Sequence, residues 1–176
     1  HVKVLNLFAY TGAASMAALK AGAEVVHVDS SRGMVDWAKE NVNASHLQDK
    51  PIRFIVDDVV KFVKREIRRG NKYDIILMDP PSFGRGSNGE VWDIEKDLFN
   101  LVNLCTELLS DEPLLFLINS YTTGLSQTVL TNILSLTINQ KYPGKISSDE
   151  LGLPMKDSSL ILPCGLYARW EPTDNK

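Results

Sequence analysis

The stretch Tyr73-Asp74-Ile75-Ile76-Leu77-Met78-Asp79-Pro80-Pro81-Ser82-Phe83 constrains the fold more than any other. Tyr73 to Met78 is short and mostly apolar, the pattern of a strand buried on both faces of a parallel sheet. Asp79 ends it. The two prolines then remove two backbone donors and fix φ, so neither strand nor helix continues. An acid, a stiff carbonyl-bearing corner and an aromatic ring are therefore expected at the carboxyl end of a central strand, the edge where open α/β sheets bind ligands. There Asp79 accepts hydrogen bonds, the Pro80 and Pro81 carbonyls have no local donor, and Phe83 offers a flat face to a flat substrate.

Around this stretch the chain alternates between strand and helix patterns. Strands are expected at Val2 to Phe8, Glu24 to Val28, Ile52 to Val56 and Leu114 to Ile118. Between them, Ala13 to Ala21 is helical and closed by Gly22, and Ser30 or Ser31 caps a helix running to Asn43. A further helix ends at Arg69 with Val59, Val60, Phe62, Val63 and Ile67 as its apolar stripe. Gly84 to Glu90 is too rich in glycine to be regular, and Asp93 to Leu109 is expected as the longest helix. Gly124 to Ile138 is another helix, and Lys145 to Trp170 fits a closing antiparallel pair of strands. This alternation predicts an α/β fold: one domain over residues 1–176, built on a doubly wound, mostly parallel sheet.

Composition narrows the function. The 176 residues are enough for one real core, and the net charge of −3 argues against a surface that coats nucleic acid electrostatically. Two cysteines, Cys105 and Cys164, make neither a disulfide framework nor a metal site. No apolar run approaches a membrane span, so a reducing cytoplasm is the expected location. The chain opens on His1-Val2-Lys3 and is already in a strand by Val4, so an upstream substrate-recognition region is expected outside it.

Successive strands end in polar groups: Asn6 with Tyr10-Thr11-Gly12, then Asp29, then Asp57-Asp58, then Asp79. Right-handed crossovers bring these ends to one edge. Gly12 lets backbone approach a ligand at a helix N-terminus, and Asp29 is placed to accept from a ribose diol. Asp58 is placed to accept from an adenine amino group with Val59 against the ring; Asp57 reads equally as a helix cap. A dinucleotide turn needs three glycines, whereas Tyr10-Thr11-Gly12-Ala13-Ala14-Ser15 supplies one. With the acidic rim, this favours S-adenosyl-L-methionine, which carries a sulfonium and an ammonium and no phosphate, over a nucleotide-dependent oxidoreductase's cofactor.

The string Val4-Leu5-Asn6-Leu7-Phe8-Ala9-Tyr10-Thr11-Gly12, with Asp29-Ser30-Ser31 and Asp79-Pro80-Pro81-Ser82-Phe83, resembles the class I S-adenosylmethionine-dependent methyltransferases. The branch it is most similar to contains the bacterial 23S ribosomal RNA methyltransferases acting on cytosine carbon 5 or guanine nitrogen 7. The resemblance implies a seven-stranded sheet with one antiparallel strand, an RNA substrate and no metal. It also implies that Phe8, Tyr10 and Gly12 surround the methionine part, Asp29 binds the ribose and Asp58 faces the adenine, with Thr11, Ser30, Asp57 and Asp79 counted among the cofactor-binding residues. Asp79 and Pro80 then line the methyl-transfer site with Phe83, beside Pro81 and Ser82.

Guanine nitrogen 7 has a free lone pair, whereas cytosine carbon 5 normally requires a cysteine adduct. No cysteine stands in Asp79-Pro80-Pro81-Ser82 or Asn119-Ser120-Tyr121, Cys105 falls on the inner stripe of a helix, and Cys164, in Leu162-Pro163-Cys164-Gly165, reads as a buried residue sooner than as a catalytic one near the rim, so a nitrogen acceptor is preferred. Arg85, in the glycine-rich stretch, is the candidate phosphate clamp. The basic run from Lys61 to Lys72 reads as a solvated helix face, and His27 as a packed strand residue. Trp92 either packs the glycine-rich loop down or anchors the next helix. The alternatives are a small-molecule or protein acceptor, which the acidic pI of about 5.6 suits, and a non-catalytic module that binds cofactor or RNA.

Overall fold

A computed structural model of the chain describes residues 1–86 and 88–173. Five parallel strands form the centre: β1 (Lys3–Leu7), β2 (Glu24–Asp29), β3 (Ile52–Val56), β4 (Ile75–Met78) and, after a small separate hairpin, β7 (Leu115–Ser120). The hairpin pairs β5 (Phe83–Arg85) with β6 (Val91–Asp93). Two long antiparallel strands, β8 (Gly144–Pro154) and β9 (Ile161–Pro172), complete a seven-stranded sheet of order β3-β2-β1-β4-β7-β9-β8. The doubly wound, mostly parallel seven-stranded sheet and its C-terminal antiparallel pair are as expected.

The sheet buries both faces, and the two-residue period of the strands sorts their side chains. Val4 and Val25 pack with Leu19 of α1 (Ala13–Lys20) and Val42 of α2 (Arg32–Ala44). Leu5, Leu7, Val26 and Val28 point the other way. They meet Phe62 of α3 (Val59–Arg69), Leu98 of α4 (Ile94–Cys105) and Leu130 of α5 (Gln127–Leu136). Several helices start where a side chain satisfies a free N–H: Ser31 accepts from Met34 N, Asp58 from Lys61 N and Ser126 from Val129 N. Ser31, rather than Ser30, is therefore the cap of α2.

Several local expectations change. The glycine-rich stretch is partly regular, because Phe83-Gly84-Arg85 pairs with Val91-Trp92-Asp93; Ser87 of that stretch lies outside the described residues. The helix expected from Asp93 to Leu109 is capped by Asp93 and gives way at Thr106–Leu108 to a turn of 3-10 helix. Thr137, at φ −117° and ψ −89°, separates α5 from the short α6 (Ile138–Lys141). Glu66 sits inside the core face of α3 with its side chain wholly enclosed. Tyr73 Oη, Asn71 Nδ2 and Arg69 donate to its carboxylate at 2.6, 2.7 and 3.1 Å. Burial alone would raise the pKa of this acid, but these donors outweigh it and hold the group below its ordinary value.

Candidate active site

The strand order reverses between β1 and β4, where β1 leads outward to β2 and β4 leads outward to β7. At such a switch the crossovers leave in opposite directions and open a crevice beyond the carboxyl ends. A cavity of about 250 Å³ lies there, walled by the β1 end (Asn6, Phe8), the loop into α1, the β4 end (Met78, Asp79) and Asn119 of β7.

The loop into α1 is held in a costly shape. Phe8 and Tyr10 have φ of 53° and 51°, and Gly12 has 90°. Left-handed backbone at bulky residues is sparsely populated and persists only where surroundings over-determine it. Here they do: Ala9 N donates to Val28 O at 3.0 Å, Tyr10 N to Asp29 Oδ2 at 2.9 Å, and Asn41 Nδ2 to Thr11 O at 2.9 Å. Gly12 is needed for its φ and because a Cβ there would lie 3.3 Å from Ala38 Cβ and 3.5 Å from the His27 ring. Its first role is thus packing against α2 and β2.

Beneath the loop runs a buried polar chain. Asn6 Nδ2 donates to Ser15 Oγ at 2.9 Å, and Ser15 Oγ is 3.0 Å from His27 Nδ1. His27 is fully enclosed, and its Nε2 has no hydrogen-bond partner among the described residues. Burial lowers its pKa from 6.5 to about 4, against the opposing pull of the Asp29 charge. His27 is a packed, neutral support, as expected for a strand residue.

The expected site residues divide into groups. Phe8, Tyr10, Thr11, Gly12 and Asp79 line the cavity. Asp29 stands beside it, its two oxygens accepting from Tyr10 N and Ser31 N at 2.9 Å, with Ser30 between. Asp57 and Asp58 stand at the β3 end outside the cavity wall. Asp57 is paired with Arg65 at 2.7 Å, and Asp58 Oδ1 is taken by Lys61 N at 2.9 Å. Val59 faces the core at 3% exposure and not a ligand. The row of acids is therefore partly scaffolding: among the described residues, the one charged side chain on the cavity wall is Asp79. Desolvation raises the pKa of Asp79, moderated by the solvent that still reaches its open side.

Beyond Asp79 the corner is braced. Pro80 is buried, and its carbonyl carries no hydrogen bond among the described residues. The Pro81 carbonyl, expected to be free, accepts from Trp92 Nε1 at 2.7 Å. Trp92 also sets its ring 4.9 Å from that of Phe8, so it packs the hairpin down. Ser82 Oγ meets Thr122 Oγ1 at 2.7 Å, tying the corner to the β7 end. Phe83 stays 56% exposed with the Arg85 guanidinium 5.9 Å from its ring centroid. The basic run from Lys61 to Lys72 is largely occupied within the chain: Lys61 pairs with Glu90, Arg65 with Asp57, Arg69 with Glu66, and Lys72 donates to Glu107 O. Asn41 and Ser15 carry no sequence signal that marks them as site residues, whereas Asn119 is the polar end of an expected strand.

Comparison with known proteins agrees with this geometry. A ribosomal RNA large subunit methyltransferase K/L of Syntrophotalea carbinolica is 35% identical over 146 residues, 78% of this chain but 20% of that protein. The chain thus spans about a fifth of that relative's length. Among solved structures, an S-adenosylmethionine-dependent methyltransferase of Agrobacterium tumefaciens superposes with a TM-score of 0.92 at 42% identity, over 98% of this chain and 56% of that one. A methyltransferase structure complexed with SAH matches with a TM-score of 0.75 at 28% identity, covering 96% of this chain and 44% of its own. Residues 1–132 match the family described as S-adenosylmethionine-dependent methyltransferase, and the chain belongs to that family.

Proposed function

We propose that the chain binds S-adenosyl-L-methionine in the cavity at the β1 and β4 ends and directs its methyl group to a base of RNA, ribosomal RNA being the expected acceptor. The observation that carries this reading is the cavity wall. Its one charged side chain is the carboxylate of Asp79, and Ala13 and Ala14 line the first turn where a pyrophosphate would need bare glycine backbone. Such a wall suits a cationic adenosyl donor. When bound, the donor's sulfonium supplies a methyl group activated for in-line displacement.

The chain's own part is positioning. Asp29, locked by two backbone amides, keeps outward lone pairs for a ribose diol. Asp58 retains one carboxylate oxygen for an adenine amino group. Asp79 and the Pro80 carbonyl accept from the acceptor's N–H groups, Phe83 gives it a stacking face, and Pro81, Ser82 and Arg85 guide it in. Neither cysteine lines the cavity. Cys105 is buried with its thiol pushed up by desolvation, and Cys164 Sγ donates to Leu162 O at 3.3 Å in the β8–β9 arm. The cavity wall itself thus supplies no thiol for a cysteine adduct.

No cluster of His, Cys, Asp or Glu among the described residues is placed to hold a metal, and none of their helices is long and apolar enough to cross a membrane. Ribosomal RNA as acceptor would place the reaction in the cytoplasm, with residues 1–176 as one methyltransferase domain. The test is transfer of labelled methyl to ribosomal RNA from a strain lacking the gene, followed by mass-spectrometric mapping. Label at one nucleotide of large-subunit RNA is expected. Label confined to protein or small molecules would overturn the RNA assignment.

A further inference from the structure

The cavity has a neighbour. Asn119 belongs to the cavity wall, and the next residues, Ser120, Tyr121 and Thr122, wall a separate recess of about 350 Å³ facing the β8–β9 arm. We propose that this recess takes the part of the acceptor ring, a flat, amino-bearing heterocycle of the nucleobase kind, that projects beyond the Asp79–Pro80 corner, with Tyr121 as a second stacking face besides Phe83 and Glu150 as the group that reads its far edge. The proposal rests on the methyltransferase reading above and names where its acceptor sits.

The recess is built, not a gap between loose pieces. Leu166 of β9 pairs with Ser120 of β7. At Gly165, φ is 126°, and an added Cβ would lie 2.5 Å from Ser120 O and 3.2 Å from Tyr121 Cα. Only glycine lets the arm's backbone press this closely on the strand end. The Ser82–Thr122 hydroxyl contact joins the opposite side to the Asp79-Pro80-Pro81 corner. An object in the recess is therefore flanked by the transfer corner on one side and the arm on the other.

The lining chemistry selects among ligands. Tyr121 leaves 62% of its surface open on a strand end, and Pro163, Leu166 and the exposed free thiol of Cys164 complete the wall. An exposed aromatic face fixed beside a reaction site suits a planar ring, which stacks without regard to sequence. Glu150 is the one formally charged residue of the lining at neutral pH, and its carboxylate makes no ion pair among the described residues. A free carboxylate accepts from exocyclic amino and ring N–H groups and repels phosphate. A base would thus enter while the sugar-phosphate chain stays outside.

Saturation-transfer NMR on protein saturated with S-adenosylhomocysteine tests this, with adenosine, cytidine, guanosine and ribose 5-phosphate as probes. At least one nucleoside is expected to receive signal, strongest on its base protons, and ribose 5-phosphate none. Tyr121→Ala should weaken the nucleoside about five-fold or more, the scale of one lost stacking partner. Glu150→Gln should weaken whichever nucleoside binds, since all three carry an exocyclic amino group, and both variants should keep wild-type S-adenosylhomocysteine affinity. Nucleoside signal absent from the wild type, or unchanged in Tyr121→Ala, would overturn the acceptor recess while leaving the cofactor reading intact. Failure of S-adenosylhomocysteine to bind would overturn both.

Discussion

The indole N–H of Trp92 donates to the carbonyl of Pro81 at 2.7 Å. Through this one bond the β5–β6 hairpin holds the proline corner that follows Asp79, and the same ring packs on Phe8 of the opposite loop. Two walls of the candidate active site thus share one buried support.

Trp92→Phe keeps an aromatic ring and removes the donor. The expected stability loss is about 1 kcal/mol, the net worth of a neutral hydrogen bond. The larger effect is expected on turnover, on the order of ten-fold, with S-adenosylhomocysteine affinity nearly unchanged, because a small displacement of the corner misaligns the acceptor. Methyl-transfer kinetics beside calorimetry separate the two; full turnover in the variant would count against this bracing role.

Asp79→Asn keeps the shape of the side chain and removes its charge. Transfer should fall by on the order of 100-fold, and the cationic donor should bind more weakly, because the wall has lost its carboxylate. Burial raises the Asp79 pKa, so the acidic limb of the wild-type rate profile should lie above the ordinary carboxylate range. Activity then falls as pH drops through that raised value and the carboxylate takes up its proton. The limb should be absent from whatever activity Asp79→Asn retains; an unchanged profile would remove Asp79 from the acceptor site.

Much of this site could be read from the chain in advance, because strand ends and helix starts are local events. Apolar runs closed by Asp29, Asp57-Asp58 and Asp79 announce a parallel sheet and its ligand edge. The hairpin was not legible: its three-residue strands owe their pairing to Trp92 reaching Pro81 and Phe8, contacts remote in sequence. Left-handed backbone at Phe8 and Tyr10 was equally hidden, since aromatic side chains disfavour it and only the Val28, Asp29 and Asn41 bonds enforce it. The burial of Glu66 was not legible either, because two of its donors, Asn71 and Tyr73, lie beyond the end of α3.

His27 makes stability depend on pH. Its pKa is about 4 when folded and 6.5 ordinarily, so between these values the unfolded chain binds more protons. Stability is fully present above pH 6.5 and falls as pH is lowered towards 4, by about 3 kcal/mol in all. Urea unfolding at a series of pH values should show this loss in the wild type and a shallower one in His27→Gln. Equal slopes would mean that His27 titrates normally.

Tyr73→Phe tests the buried acid on the core face of α3. Removing the 2.6 Å donor leaves the Glu66 carboxylate enclosed with fewer partners. The cost should be on the order of 1–3 kcal/mol in a denaturant titration, with S-adenosylhomocysteine affinity unaltered. An unchanged unfolding midpoint would show that the phenol contributes nothing there.

The central claim is tested most directly by calorimetric titration of the protein with S-adenosylhomocysteine and with NAD, in the wild type and in Asp29→Ala. S-adenosylhomocysteine should bind and NAD should not. The substitution should cost on the order of 1.5–3 kcal/mol, the scale of lost charged hydrogen bonds. Binding of NAD comparable to that of S-adenosylhomocysteine, or an Asp29→Ala affinity equal to the wild type's, would contradict the account.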